Sequence, residues 1–186
     1  MDSKDDNPNT SITDGHVTYF QQKNSAPGHR MHIACSVKEK EKYDAIKTAA
    51  ILSKTAIALY DAFIASWHTK YTYNYVRPET YINRYIDKNW EPLIQTPPFP
   101  EYPSAHSVAS SSAATVLIQL IGEPYNFTDS AEVNYGRPTR TYQSFYDAAD
   151  QASISRLYGS IHFMNAIVKG KEQGRNVGHY VLNKLK

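Results

Sequence analysis

The sequence is short of cysteine, of net charge and of uninterrupted apolar runs, and each shortage removes a class of protein. Cys35 is the lone cysteine, so no intrachain disulfide framework and no cysteine-based zinc ribbon or finger is available. The 20 Lys and Arg are nearly matched by 18 Asp and Glu. A net charge of +2 lacks the basic excess of a dedicated nucleic-acid binder, so no nucleic-acid partner is expected. The most apolar stretches are residues 49–60, interrupted by Lys54, and 113–121, interrupted by Gln119. Both fall short of the ~20 apolar residues of a spanning helix, so the chain is expected not to be integral to a membrane. Residues 1–13 are polar and acidic, without the basic start and apolar centre of a secretory signal. On that reading the chain is cytoplasmic, or it is a mature or trimmed form.

What is present suits one compact domain. With 186 residues and 41% hydrophobic content the chain can bury a core and is too apolar to be disordered. Residues 1–40 mix Asn, Ser, Pro, Gly and charge without periodicity, which predicts an irregular N-terminal arm. Residues 41–186 then form the helical domain. Ile46, Ala49, Ala50, Ile57, Tyr60, Phe63, Ile64 and Trp67 recur at three- and four-residue steps, and no Pro or Gly interrupts residues 39–76. That is a long amphipathic helix ending near Arg77, because Pro78 disfavours α geometry in the residue before it. A short helix is expected over 78–87, a stiff proline-rich loop over 91–103, and a second long helix over 104–121, stopped by Gly122. Residues 123–141 read as loop, and a third helix is expected over 144–169, ended by Gly170. Alternating strand patterns are nearly missing. The expected fold class is all-α, a helical bundle with long connecting loops.

Three places concentrate polar groups that a bundle does not need. Lys70 and Arg77 are seven residues apart, which on one helix puts both on nearly the same face about 10 Å apart. Alone, the pair reads best as a solvated basic face. Ser104 ends the proline-rich loop as a helix cap and leaves the N–H groups of Ala105 and His106 at a helix start, a geometry that binds anions. An ordinary serine cap beside a surface histidine accounts for it about equally well. Third, Arg156 and His162 each lie three residues from Gly159. A glycine inside a helix costs about 1 kcal/mol relative to Ala, which close helix packing or an approaching ligand would offset. Jointly, Lys70, Arg77, Arg156, a helix N-terminus, His106 and His162 would hold a tetrahedral oxyanion, spread its charge, and offer a nucleophile or axial ligand with an acid/base.

In this order the blocks Lys70…Arg77-Pro78, Pro103-Ser104-Ala105-His106 and Ser155-Arg156…His162 resemble the signature of the vanadium-dependent haloperoxidase and type-2 phosphatidic acid phosphatase superfamily, which includes bacterial acid phosphatases. The match looks closer to the haloperoxidase branch, since Trp67 and Phe99 stand where similar aromatics flank a halide pocket. For Trp67, core packing accounts for the residue as well. The resemblance implies a helical bundle like the catalytic bundle of those enzymes. It also implies a cofactor-binding set of Lys70, Arg77, Ser104, the backbone at Ala105, and Arg156. His162 would be the metal ligand if vanadate is bound, or would attack phosphorus if the substrate is a phosphate ester. His106 would be the catalytic acid/base.

The reaction implied is oxidation of halide by hydrogen peroxide with vanadate as cofactor. The alternatives are phosphate-monoester hydrolysis through a phosphohistidine, with no cofactor, and a non-catalytic oxyanion-binding domain. In each case the partner is a small molecule. The resemblance also implies a periplasmic or extracytoplasmic location. Two positions depart from the pattern. Ala105 stands where the family has Gly, adding a methyl group beside the anion, and Ala166 stands where an Asp commonly follows the histidine by four residues. Haloperoxidases of this kind resemble paired bundles, of which this chain would cover the catalytic, C-terminal one. His29-x-x-His32 and the Asn126-Phe-Thr128 sequon read as incidental.

Overall fold

The computed structural model describes residues 25–185. Helix α1, Ala26–Glu41, starts where the Ser25 hydroxyl accepts the Gly28 N–H and stops at Lys42, which turns left-handed. Helix α2, Ala45–Tyr73, is capped by Asp44, which accepts the Lys47 N–H at 2.7 Å, and ends at left-handed Asn74. Helix α3, Pro78–Tyr85, has Pro in its first turn, where a missing N–H costs nothing. After the proline-rich loop comes α4, Ala105–Ile121, capped by Ser104 and ended at Gly122 with φ 108°, a backbone that excludes most side chains. A small antiparallel hairpin follows, β1 Phe127–Asp129 and β2 Arg140–Tyr142, with Phe127 opposite Tyr142. Then come α5, Phe145–Tyr158, and α6, Met164–Lys184.

Helix α4 is the axis of the bundle. It packs against α1, α2, α5 and α6, and every residue from Ala105 to Leu117 is buried. Helix α6 approaches it so closely that side chains are excluded. A Cβ at Gly170 would lie 2.9 Å from both the Ser104 carbonyl oxygen and the Ser107 Cβ; one at Gly178 would lie 2.7 Å from the Thr115 Cβ. At Gly174 it would strike the Val108 carbonyl oxygen. These glycines recur every four residues on one face of α6 and meet Ser107, Ser111 and Thr115 at the same interval on α4. The apolar core lies around this seam. Ile33, Ala34 and Val37 of α1 join Leu117, Phe127, Tyr142 and Phe145 at one end, and Ala58, Val116 and Val181 join at α6's far end.

The all-α expectation stands, and four local expectations are corrected. The irregular arm expected over 1–40 is helical from Ala26 onward, and residues 1–24 lie outside the described residues. Its inward face is partly polar, with His29 and Arg30 buried, so apolar periodicity does not reveal it. The loop expected over 123–141 contains the hairpin. The single third helix is broken after Tyr158. Gly159 ends α5 rather than sitting inside a helix, and Gly170 lies inside α6 rather than terminating it. Finally, the stretch from Ala45 to Tyr85 is long and apolar enough to cross a membrane by length and composition, contrary to the expectation for any segment. Ile46, Ile57, Tyr60 and Ile64 of α2 are exposed on its outer side, while Ala58, Leu59, Ala62 and Ser66 are buried.

The glycine seam makes a direct test. Gly174→Ala gains helix propensity of about 1 kcal/mol but drives a methyl group into the α4 backbone. A net loss of roughly 1–3 kcal/mol in urea denaturation is expected from overpacking. A variant as stable as the parent would mean α6 is not seated on α4 in this way.

Candidate active site

The end of α2 and the proline-rich loop are joined by one side chain. Lys70, in the last turn of α2, is fully buried, and its ammonium donates to the carbonyls of Pro100 (2.9 Å), Glu101 (3.0 Å) and Pro103 (2.6 Å). Three protons meet three carbonyls that the loop's prolines leave without regular partners. Helix α2 ends at Tyr73, so Arg77 is not on the same helix as Lys70. It is the residue before α3 and reaches the same place by another route. Its Nε donates to Phe99 O at 3.0 Å and its Nη1 to Ile161 O at 2.8 Å. The same Nη1 lies 3.1 Å from His162 Nε2.

The ring of Phe99 lies beneath both cations, 5.3 Å from the Lys70 ammonium and 5.0 Å from the Arg77 guanidinium carbon. Trp67 packs on Phe99 with ring centroids 5.2 Å apart. The two residues expected to line a halide pocket therefore form one aromatic wall beside the cations.

His162 sits in the break between α5 and α6 and is buried. Its Nδ1 is 2.8 Å from Glu101 Oε1, which also accepts the Phe163 N–H at 3.0 Å. Glu101, only 1% exposed, is the site residue that sequence reasoning missed. The available signal was a lone acid between prolines next to the Ser104 cap, a place where an unpaired carboxylate would be costly. Ser104 is fully buried; its hydroxyl caps α4, and its own N–H donates to Ala166 O at 3.0 Å. Ala105 and His106 are buried in the first turn of α4. Arg156, fully buried in the last turn of α5, directs Nε and Nη2 to Ser155 Oγ at 2.9 and 2.6 Å. Contacts thus link Lys70, Arg77, Glu101, Ser104 and His162 through the loop, while Arg156 and the pair Ala105–His106 occupy the two adjoining helix ends.

Cations gather here. Lys70, Arg77 and Arg156 are all buried, and the carboxylate whose charge opposes Lys70 and Arg77 is Glu101. Burial, reinforced by Arg77, lowers the Lys70 pKa to about 7 despite Glu101. Burial likewise lowers Arg77 to about 10. Burial raises the Glu101 pKa, opposed by the Phe163 N–H and by the two cations. A desolvated, cation-rich pocket at a helix start is chemically suited to an oxyanion. Vanadate passes this test as phosphate does, since each offers several anionic oxygens to cationic and N–H donors and a centre that an imidazole nitrogen can approach.

Comparison with known proteins finds the same architecture. The family model described as the VCPO second helical-bundle domain matches residues 50–89 and 86–186. The chain superposes with a TM-score of 0.94 on the crystal structure of the first bacterial vanadium-dependent iodoperoxidase. It is 43% identical to that protein and covers 100% of this chain and 45% of that one. A holo-type bacterial vanadium-dependent chloroperoxidase gives a TM-score of 0.76 at 17% identity, covering 96% of this chain and 43% of the other. The apo-type chloroperoxidase gives 0.67 at 17%, covering 85% and 42%. At that identity the chloroperoxidases show a shared fold only. The comparison with curated proteins finds no match. The chain spans less than half the length of these solved relatives.

The lowered Lys70 pKa has a measurable consequence for anion binding. A bound anion restores the ammonium, so the Lys70 pKa rises from about 7 and binding above that pH takes up a proton. Affinity for sulfate, whose charge is constant over the range, is expected to be highest below pH 7. It should weaken up to about tenfold per pH unit above it, with proton uptake seen by calorimetry in buffers of different ionisation enthalpy. Constant affinity without proton uptake between about pH 6 and 9 would count against this assignment.

Proposed function

The chain belongs to the VCPO second helical-bundle family, and on that premise we propose that it is the oxyanion-holding unit of a vanadate-dependent haloperoxidase that oxidises halide with hydrogen peroxide. The observation that carries this reading is the gathering of three buried cations, Lys70, Arg77 and Arg156, with a buried histidine whose Nε2 faces the Arg77 guanidinium. Iodide is the halide to test first, because the 43% identical relative is an iodoperoxidase.

In this reading the charges of Lys70, Arg77 and Arg156 would hold vanadate by its oxygens, with the Ser104 hydroxyl and the N–H groups at the start of α4, and His162 Nε2 would be its nitrogen ligand. Bound vanadate would supply the Lewis acidity that activates peroxide towards halide. The chain's own groups do the rest. The cations neutralise charge on the oxygens, and they do so without reorganising, because loop carbonyls and aromatic faces already hold Lys70 and Arg77. The Trp67–Phe99 wall keeps water from one side of the pocket and offers a polarisable surface to a halide. His106, in the first turn of α4, moves the proton at an imidazole nitrogen as peroxide is bound and spent. The Ala105 methyl group is itself buried, so the extra carbon narrows this end of the pocket without removing the N–H beneath it.

Titrating the protein with orthovanadate in iodide and peroxide is expected to raise iodide oxidation to saturation. His106→Ala should lower turnover about 10²–10⁴-fold while vanadate still binds. His162→Ala should weaken vanadate binding itself. If the protein instead hydrolyses a small phosphate ester and vanadate inhibits it, it is a phosphohistidine enzyme on the same pocket. Binding without turnover in either assay would make it a non-catalytic oxyanion domain.

A further inference from the structure

The resemblance left one gap, the missing Asp four residues after the histidine, and the structure fills it from another element. We propose that Glu101 is the positioning residue of His162, supplying from the proline-rich loop the carboxylate support that Ala166 cannot give from α6. The proposal rests on the oxyanion reading of the pocket.

Each ring nitrogen of His162 faces a side chain, and these two contacts agree on one tautomer. Arg77 Nη1 has protons and no lone pair, so at 3.1 Å it makes His162 Nε2 the acceptor. The ring proton then belongs on Nδ1, where Glu101 Oε1 waits at 2.8 Å. The same oxygen accepts the N–H of Phe163, the residue next to the histidine, at 3.0 Å. Carboxylate, ring and backbone therefore lock one another. The ring turns its Nε2 lone pair towards the Arg77 guanidinium, the side where an anion held by the cations would sit.

Glu101 is itself pinned at both ends of its backbone. Its N–H donates to Tyr75 O at 2.9 Å and its carbonyl accepts from Lys70 at 3.0 Å. At 1% exposure it has no solvent into which to swing. Position 166 offers no substitute. Ala166 is fully buried with an apolar side chain, and its carbonyl is taken by the Ser104 N–H. Orienting partners of this kind typically matter about 10–100-fold in ligand affinity when removed.

The test reads tautomer and binding rather than turnover. In protein with ¹⁵N-labelled histidine, assigned through His162→Gln, the His162 ring is expected to show a protonated Nδ1 and an unprotonated Nε2. Inorganic vanadate, with inorganic phosphate as a second probe, is then titrated by calorimetry. Glu101→Leu should lose the tautomer signature and weaken binding about 10–100-fold. Glu101→Gln, whose amide oxygen still accepts both N–H groups, should keep the tautomer and lose less. A wild-type ring protonated on Nε2 overturns the proposal, and needs no variant to fold. So does Glu101→Leu binding within about twofold of wild type, or Glu101→Gln binding as weakly as Glu101→Leu. If the wild type binds neither anion, the oxyanion reading fails while the tautomer measurement still judges Glu101.

Discussion

The site depends on a lysine taken out of water. Lys70 is fully buried, and the three loop carbonyls on its ammonium satisfy its protons without cancelling its charge. Those bonds have two consequences. They fasten residues 100–103, a segment whose prolines cannot join a ladder or a helix, to the end of α2. They also leave a desolvated positive charge beside Arg77, a combination that burial alone makes costly and that a bound anion relieves. Stability and binding are thus opposed at this point. Burying these cations carries a cost, and the surrounding fold has to be firm enough to hold them together.

That firmness comes from the seam between α4 and α6. Ser107, Ser111 and Thr115 on α4 and glycines on α6 let the two backbones approach until no Cβ fits, which trades side-chain burial for close backbone contact at the helix start. Gly170 touches Ser104, the cap residue itself, and the Ser104 N–H is held by Ala166 of α6. The N–H groups of the α4 first turn are therefore positioned by the same contacts that build the core. This explains why a central helix of a bundle is so rich in serine: small side chains serve the approach, and hydroxyls such as Ser112 and Thr115 bond to nearby carbonyls.

Legibility followed the length scale of each signal. Helices α2 and α4 carry long apolar periodicity and clear caps, and both were readable to within a few residues. Lys70 and Arg77 lie near each other, but not by the route that their spacing suggests. A common helix face was expected, whereas Asn74 ends α2 and Arg77 returns from the start of α3. Gly170 was misread because a stop and a close approach share one residue type, and only the neighbouring helix tells them apart. Helix α1 was missed because His29 and Arg30 face inward, held by Asp129 and Ser110, which lie 100 and 80 residues away in sequence. Glu101 was missed for the same reason, since its partner His162 is 61 residues distant and no local pattern marks the pair.

Moving the carboxylate from α6 to the loop changes how the pocket is coupled. An Asp on α6 would orient the histidine from the helix that follows it, independently of the cations. Glu101 instead sits in the segment that Lys70 holds, and its carbonyl and its carboxylate face the cation and the histidine respectively. Any displacement of the loop shifts the positive charge and the imidazole together. Arg77 closes the circuit, bonding to the loop at Phe99, to the backbone beside the histidine at Ile161, and to the histidine ring. An anion entering this pocket meets a single mechanical unit rather than a set of independent side chains. Substitutions at Lys70, Glu101 and Arg77 should for that reason be strongly non-additive, each one releasing the same loop.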